Sequence, residues 1–289
     1  MACASPIDAW RPTLGGPLSF KPPTDGHHWT KIQVPCGTCI LCRQEQSRQW
    51  AVRIAHEATL HQENSFVTLT YSDQHLPEHR SLNYRDLQLF FKRVRKAGHE
   101  IRYYAVGEYG DTTQRPHYHA CIFGKAWIEN RVILRETPTL LWTSRELEDA
   151  WGLGQVSVGE LNYKTASYTA GYIHKKLNRK QTYVRIDEDT GELVAVAQPR
   201  ALMSRRPGIG HGWYEKWGKY TYDHDHVVMG GTPAKPPKYY DNKLKGENEE
   251  KYKKIKENRQ EHSERKTDEQ LRARARNAHA RAKLRTNSI

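Results

Sequence analysis

Between Tyr84 and Phe123 the chain leaves itself few folds. Leu87, Phe90, Phe91 and Val94 stand at i, i+3, i+4 and i+7, and Gly98 follows where a left-handed stop belongs, so a helix is predicted over Tyr84 to Ala97. Two strands come next, Ile101 to Tyr109 and His117 to Phe123, with Gly110-Asp111-Thr112-Thr113 as the turn between them. Strands joined so tightly pair antiparallel, because a parallel pair needs a crossover of a dozen or more residues. Around this nucleus an amphipathic helix is expected from Arg43 to His61, with Trp50, Ile54 and Ala58 on one face, and a strand over Phe66 to Tyr71. A capping box at Thr143-x-x-Glu146 should open a short helix to Trp151, followed by a strand from Gln155 to Glu160 and a helix from Ala166 to Asn178. The order β-α-β-β-α-β-α predicts an α+β fold, a central antiparallel sheet flanked by helices.

Outside this core the patterning weakens. Residues 1–42 read as an irregular N-terminal arm with a cysteine cluster, and residues 43–180 as the core. Residues 181–234 read as an extension with a hairpin (Thr182 to Ile186, Glu192 to Val196) and an aromatic, basic loop, and residues 235–289 as a charged tail, helical or disordered. The formal net charge is +13, and 17 Lys and Arg against 9 Asp and Glu from Lys235 onward put eight of those charges in the tail. A polyanion is the natural partner for such a surplus. There is no run of eighteen apolar residues, and the first residues have neither a charged nor an apolar leader region, so a secreted or membrane-spanning protein is not expected. Five cysteines, an odd number, fit a reducing cytoplasm better than a disulfide framework.

Side chains alternate across a strand, so His117 and His119 face one side while Tyr118, Ala120 and Ile122 face the other. Two imidazoles on one face can close on one ion, although such pairs also decorate strands with no metal. Glu108, near the end of the neighbouring strand, is the candidate third ligand, and a His-His-Glu set with open positions suits Mg2+ or Mn2+ that must also take phosphate oxygens. Cys121 shares that face and reads as a buried free thiol. A second pair, His224 and His226, lies between aspartates but continues no apolar strand. Tyr168 and Tyr172 stand at i and i+4, hence on one helical face that Lys175 and Lys176 continue. Phenols are poor nucleophiles at their ordinary pKa, and a lysine beside them can stabilise a phenolate; the competing reading is two core aromatics.

Cys36-x-x-Cys39-x-x-Cys42 lacks a fourth ligand, which Cys3, His27 or His28 can supply to a structural zinc; the alternative is a set of reduced thiols packed on the next helix. Arg115 at the start of the histidine strand, and Arg205 and Arg206 near Trp213, Tyr214 and Trp217, are candidate phosphate and base contacts.

Five segments together resemble a known family: Pro-Cys-Gly-Thr-Cys-Ile-Leu-Cys at 35–42, Phe-Val-Thr-Leu-Thr-Tyr at 66–71, Arg-Pro-His-Tyr-His at 115–119, Tyr-Thr-Ala-Gly-Tyr-Ile-His-Lys-Lys at 168–176 and Ser-Arg-Arg-Pro-Gly-Ile-Gly at 204–210. The chain is similar to the HUH endonucleases, specifically the rolling-circle replication initiators of gokushovirus-type microviruses. The resemblance implies an HUH-like sheet, His117 and His119 as metal ligands and Tyr168 and Tyr172 as nucleophiles. It further implies nicking and religation of phage origin DNA, with a 5′-phosphotyrosine and a free 3′ hydroxyl for the host polymerase. Single-stranded DNA and host replication proteins are then the expected partners and the host bacterial cytoplasm the expected setting. Two rival readings are a plasmid replication or mobilisation nickase on the same fold, and a non-catalytic single-strand binding protein.

Overall fold

Among the residues described, the chain runs β1 (Ile7–Pro12), β2 (Trp29–Val34), α1 (Ile40–Ala58), β3 (Asn64–Tyr71), α2 (Tyr84–Lys96), β4 (Arg102–Tyr109), β5 (Pro116–Phe123), β6 (Val132–Arg135), β7 (Leu141–Thr143), α3 (Arg145–Trp151), β8 (Gly154–Glu160), α4 (Tyr163–Lys176), β9 (Val184–Ile186), β10 (Leu193–Ala195), β11 (Ala201–Met203), α5 (His211–His224), β12 (Val227–Met229), β13 (Thr232–Ala234), α6 (Lys238–Glu247), α7 (Glu249–Glu261) and α8 (Asp268–Thr286). The computed structural model describes residues 3–24, 28–176, 182–187, 190–262 and 266–286, and the side chains of residues 172–176, 283, 285 and 286 lie outside that description. Two compact units result, one of Met1–Gln46 with Lys256–Ile289 and one of Ser47–Ile255.

The larger unit is built on a seven-stranded antiparallel sheet in the order β11-β4-β5-β3-β8-β7-β6. Strict alternation on the central strands gives it two faces. Val67 and Leu69 of β3, Ala105 and Tyr109 of β4, Tyr118, Ala120 and Ile122 of β5, and Val156 and Val158 of β8 pack against Leu87, Phe90, Phe91 and Val94 of α2 and Leu147 and Trp151 of α3. Tyr104, Val106, Cys121 and Phe123 project the other way, against Ala51 and Ile54 of α1 and Ala166 and Ala170 of α4. Each fully buried Leu or Phe in such a layer contributes about 1.5–3 kcal/mol over leaving it in water. The expected α+β architecture, helices on both faces of an antiparallel sheet, is what forms.

Local chemistry explains the boundaries. The Asn83 side chain accepts the Arg85 amide at 3.1 Å to start α2, and Gly98 takes φ 95° just past its end, as the stripe and the glycine require. The start of α3 differs from the capping box proposed for Thr143. Ser144 is the cap, accepting the Leu147 amide at 3.3 Å, while Thr143 ends β7 and its hydroxyl donates to Glu148. Two adjacent hydroxyl residues compete for one cap, and the helix takes the one whose spacing reaches the third amide. Gly154, at φ 152°, passes so close to β3 that a Cβ would lie 2.3 Å from the Thr70 carbonyl oxygen. No other residue fits there.

Three regions depart from the sequence reading. The stretch read as an irregular arm contains the β1–β2 hairpin, in register from Ile7↔Val34 to Pro12↔Trp29. Its two strands are separated by a Pro- and Gly-rich loop that hides the alternation. Strands β6, β7 and β11 have no signature in the sequence, because three or four residues show no period and gain their order from the sheet they extend. The charged tail is helical, and its first part has a core: Tyr240 and Leu244 pack with Tyr214 and Tyr222, and the Asp241 carboxylate accepts the Tyr222 hydroxyl at 2.8 Å. Tyr214 is thus a core residue, whereas Trp217 of the same helix is exposed.

His56 of α1 is 5% exposed, stacked on Trp213 with ring centroids 3.6 Å apart and 3.0 Å from the Tyr240 hydroxyl. Burial pushes its imidazole down to about 3. The folded value lies below the unfolded value of about 6.5, so this contribution to stability is whole above that pH and is lost as pH falls towards 3. We expect the unfolding free energy of the metal-free protein to drop between pH 6.5 and 4.5, above the carboxylate range, by an amount on the order of a few kcal/mol. In His56→Gln the slope in that window should flatten; an unchanged slope would remove the assignment.

Candidate active site

The antiparallel register of β3, β5 and β4 assembles one cluster. Thr68 pairs with His119, Thr70 with His117 and Glu108 with His117, so Thr68, His117, His119 and Glu108 emerge on the same face of three adjacent strands. One ligand atom from each of Glu108, His117 and His119 lies within 4.8 Å of the others. The Glu108 Oε2 atom is 3.5 Å from His119 Nε2 and 3.7 Å from His117 Nε2. Three donors bound to one ion at about 2.1 Å stand roughly 3.0–3.5 Å apart, so contraction by a few tenths of an ångström closes the set on a cation.

The tautomers suit that role. His117 Nδ1 lies 3.1 Å from the Arg115 carbonyl, which can only accept, so Nδ1 carries the proton and Nε2 presents its lone pair. His119 Nδ1 is 3.0 Å from the Thr68 hydroxyl, and donating to it leaves His119 Nε2 facing Glu108 in the same way. Burial, and then the neighbouring His117, push the His119 imidazole down to about 3, so it is neutral at physiological pH and available as a ligand. Phe66 lies against the His119 ring, centroids 5.4 Å apart and nearly parallel, and holds its plane. Sequence reasoning does not find Thr68 and Phe66, although their parity on β3 is visible in Phe66-Val-Thr-Leu-Thr-Tyr71 once His119 is known to pair with Thr68.

Helix α4 crosses this face. Ala166 and Ala170 are fully covered against the sheet, and their small side chains let the helix approach closely. The Tyr168 ring stands edge-on to His119, with centroids 5.3 Å apart, and edge-on to Phe66 at 6.2 Å, while 37% of the residue is exposed. Tyr172, Lys175 and Lys176 lie on the next turns of α4, and their side chains are outside the described residues. Cys121, on the same face, is a buried thiol 3.6 Å from the Thr169 hydroxyl, pushed up to about 12 by burial and thereby kept protonated.

Arg115 occupies a different place from a simple phosphate contact. Its Nε and Nη2 donate to the Tyr71 carbonyl at 3.0 and 2.7 Å and its Nη1 reaches Asp73 at 2.7 Å, clamping the start of β5 to the end of β3. Arg205 and Arg206 are exposed in the loop between β11 and α5. His224 and His226 lie at the C-terminus of α5 and in the turn after it, with Asp225 left-handed at φ 52°. Their Nδ1 atoms engage backbone carbonyls, and they form no ligand group among the described residues. In the smaller unit Cys3, Cys36, Cys39 and Cys42 converge within 4.8 Å, so Cys3 rather than His28 completes that set; His27 lies outside the described residues. No helix among the described residues is long and apolar enough to cross a membrane.

An antiparallel sheet with helices on both faces, carrying a His-x-His pair and a carboxylate beside a tyrosine helix, defines a class of α+β proteins with a sheet-borne metal-ligand set. Residues 64–177, which span the sheet core and α4, match the model of a family of replication-associated proteins of the ORF2 type. The chain is 32% identical over 273 residues to the replication-associated protein ORF2 of Spiroplasma virus 4, covering 86% of this chain and 81% of that protein. It is 30% identical over 263 residues to the replication-associated protein VP4 of Bdellovibrio phage phiMH2K, covering 87% and 80%. A further relative is the replication-associated protein ORF4 of Chlamydia phage 1, 28% identical over 234 residues, 76% of this chain and 56% of that protein. The chain belongs to the family of phage replication-associated proteins, in agreement with its resemblance to gokushovirus-type initiators. No solved structure matches it.

Since the Thr68 hydroxyl sets the His119 tautomer, Thr68→Val should weaken binding of a probe cation such as Mn2+ by about 10–100-fold in calorimetric titration, with the fold retained. Unchanged affinity would show that the hydroxyl plays no part in presenting Nε2.

Proposed function

We propose that this protein initiates rolling-circle replication of phage DNA by nicking, and later religating, single-stranded origin DNA through a tyrosine nucleophile. The observation that carries the reading is the convergence of Glu108, His117 and His119 on the sheet face where the Tyr168 ring stands 5.3 Å from His119. Family membership supports the setting, since the relatives are named replication-associated proteins.

Glu108, His117 and His119 would hold Mg2+ or Mn2+, and the bound ion supplies Lewis-acid polarisation of a phosphodiester oxygen. Two neutral imidazoles and one carboxylate leave coordination positions for phosphate and water. Tyr168, anchored by the close packing of α4 on the sheet, acts from the same side. Its phenolic oxygen bonds to phosphorus as the bond to the 3′ oxygen breaks; the phenolic proton departs to solvent and the 3′ oxygen takes one up. The product is a 5′-phosphotyrosine and a free 3′ hydroxyl, which a host polymerase can extend in the bacterial cytoplasm. Because the phosphodiester bond energy is conserved in the tyrosine ester, attack by a 3′ hydroxyl reverses the step and rejoins the strand. Tyr172, one helical turn later, serves a second transfer, with Lys175 and Lys176 stabilising phenolate or phosphate charge.

Strand binding draws on basic surfaces. Arg205 and Arg206 are exposed for phosphate contacts, Trp217 for stacking, and Arg115 for a phosphate if it releases Asp73. In the smaller unit, Arg43, Arg272, Arg276 and His279, with Asp8 and Asp268 among them, line a cavity of about 890 Å3 that suits a sugar–phosphate backbone.

Incubation with a labelled origin-strand oligonucleotide and Mn2+ should give a protein–DNA adduct that survives denaturant, and mass spectrometry should place it on Tyr168 or Tyr172. Tyr168→Phe and Tyr172→Phe should each impair strand transfer, and the double variant should form no adduct. Adduct in the double variant would remove the nucleophiles, and a wild-type protein that binds the strand with no adduct would leave a binding protein. His119→Ala should lower cleavage about 100-fold or more while strand affinity changes little, because it removes several kcal/mol of phosphate polarisation and no phosphate contact. Equal loss of both would refute the ligand role.

A further inference from the structure

The smaller unit contains a group of side chains with no part in the proposed strand chemistry. Cys3 precedes β1, Cys36 and Cys39 flank the loop after β2, and Cys42 lies in the first turn of α1. All four are free thiols, and their sulfurs lie within 4.8 Å of one another. Cys3 Sγ is 3.6 Å from Cys36 Sγ and 3.9 Å from Cys39 Sγ. Four sulfurs placed tetrahedrally at about 2.3 Å from one ion are separated by roughly 3.8 Å, which these distances bracket. A disulfide, with sulfurs about 2 Å apart, would pair two of them and break the symmetry of the set. An iron–sulfur cluster has its own bulk between the ligands and would spread them further.

The loop is shaped for metal-bound sulfur. Gly37 adopts φ 75°, which turns the chain so that the Cys39 amide donates to Cys36 Sγ at 3.3 Å. The Cys36 amide donates to Cys3 Sγ, also at 3.3 Å, and the Thr38 hydroxyl to Cys36 Sγ at 3.7 Å. Donors aimed at sulfur are what a set of thiolates needs to spread its negative charge. The Cys39 carbonyl accepts the Arg43 amide at 3.0 Å, so the helix start that carries Cys42 is continuous with the loop. Cys3 and Cys42 are buried, which leaves no room for a water or substrate in the coordination sphere.

We propose that Cys3, Cys36, Cys39 and Cys42 bind one Zn2+ as a closed, structural tetrathiolate site. Four thiols give up four protons and four sulfur–zinc bonds form, so binding strengthens as pH rises. The ion staples the segment ahead of β1 to the loop after β2 and to the start of α1, in a stretch whose own apolar core is small. The chemistry differs from that of the histidine–carboxylate set: soft, fully occupied sulfur selects zinc, whereas Glu108, His117 and His119 keep open positions.

The full chain, purified under reducing conditions and stripped with a chelator, tests this by Co2+ titration. A thiolate-to-cobalt charge-transfer band should saturate at about one equivalent per chain, bleach when Zn2+ is added, persist in His119→Ala and vanish in Cys36→Ser/Cys39→Ser. Because the double variant can fail to fold, the wild-type protein is also alkylated with and without Zn2+. Zn2+ should protect Cys3, Cys36, Cys39 and Cys42 together. Absence of the band, its survival in the cysteine variant, or equal alkylation with and without Zn2+ would each overturn the proposal.

Discussion

The registration of β3 on β5, and of β5 on β4, is the constraint on which the site depends. Side chains alternate with a period of two, so a slip of one residue on β5 would turn His117 and His119 into the α2 layer and bring Tyr118 and Ala120 out to face α4. What prevents the slip is the opposite face. Tyr118, Ala120 and Ile122 are fully covered there, and the Tyr118 hydroxyl donates to the Asn83 carbonyl at 2.8 Å and accepts the Asn83 amide at 2.9 Å. The apolar layer under the sheet thus sets the positions of polar groups on top of it.

Rigidity reaches the tyrosine helix by a second route. Helix α4 presents Ala166 and Ala170 to the sheet, so its backbone lies close to β4 and β5, and a tyrosine on its exposed side still contacts His119. Nearby, the buried Glu57 carboxylate of α1 bonds Arg102 of β4 and accepts the Gly210 amide at the start of α5 at 2.6 Å, and these partners hold its carboxyl below the usual range against the cost of burial. Charge buried with partners from three elements ties helix, sheet and loop in one arrangement.

The two ligand groups divide the chemistry. One is held on a rigid sheet by second partners that fix each imidazole, and its mixed nitrogen and oxygen donors leave space for a substrate. The other is made of loop and helix-start residues, with sulfur donors that fill a coordination sphere. A chain that must grip phosphate at one place and organise a region of little apolar core at another has use for both kinds.

Much of the larger unit was legible from local pattern. The stripe from Leu87 to Val94 with Gly98 behind it specified α2, and the paired strands around Gly110-Asp111-Thr112-Thr113 specified β4 and β5, because helical and strand periods are properties of neighbouring residues. Parity alone placed His117 and His119 together and Tyr118 opposite. The tertiary structure decided what depends on partners distant in the chain. Thr68 gains its role only from pairing with His119 fifty-one residues away, and Ser144 displaced Thr143 as a cap by geometry two hydroxyls share. The strands β6, β7 and β11 exist by extending a sheet, and Cys3 joins Cys36 across thirty-three residues. Periodicity reports burial within one element, whereas register, capping choice and ligand convergence are set when separate elements meet, and no local pattern carries them.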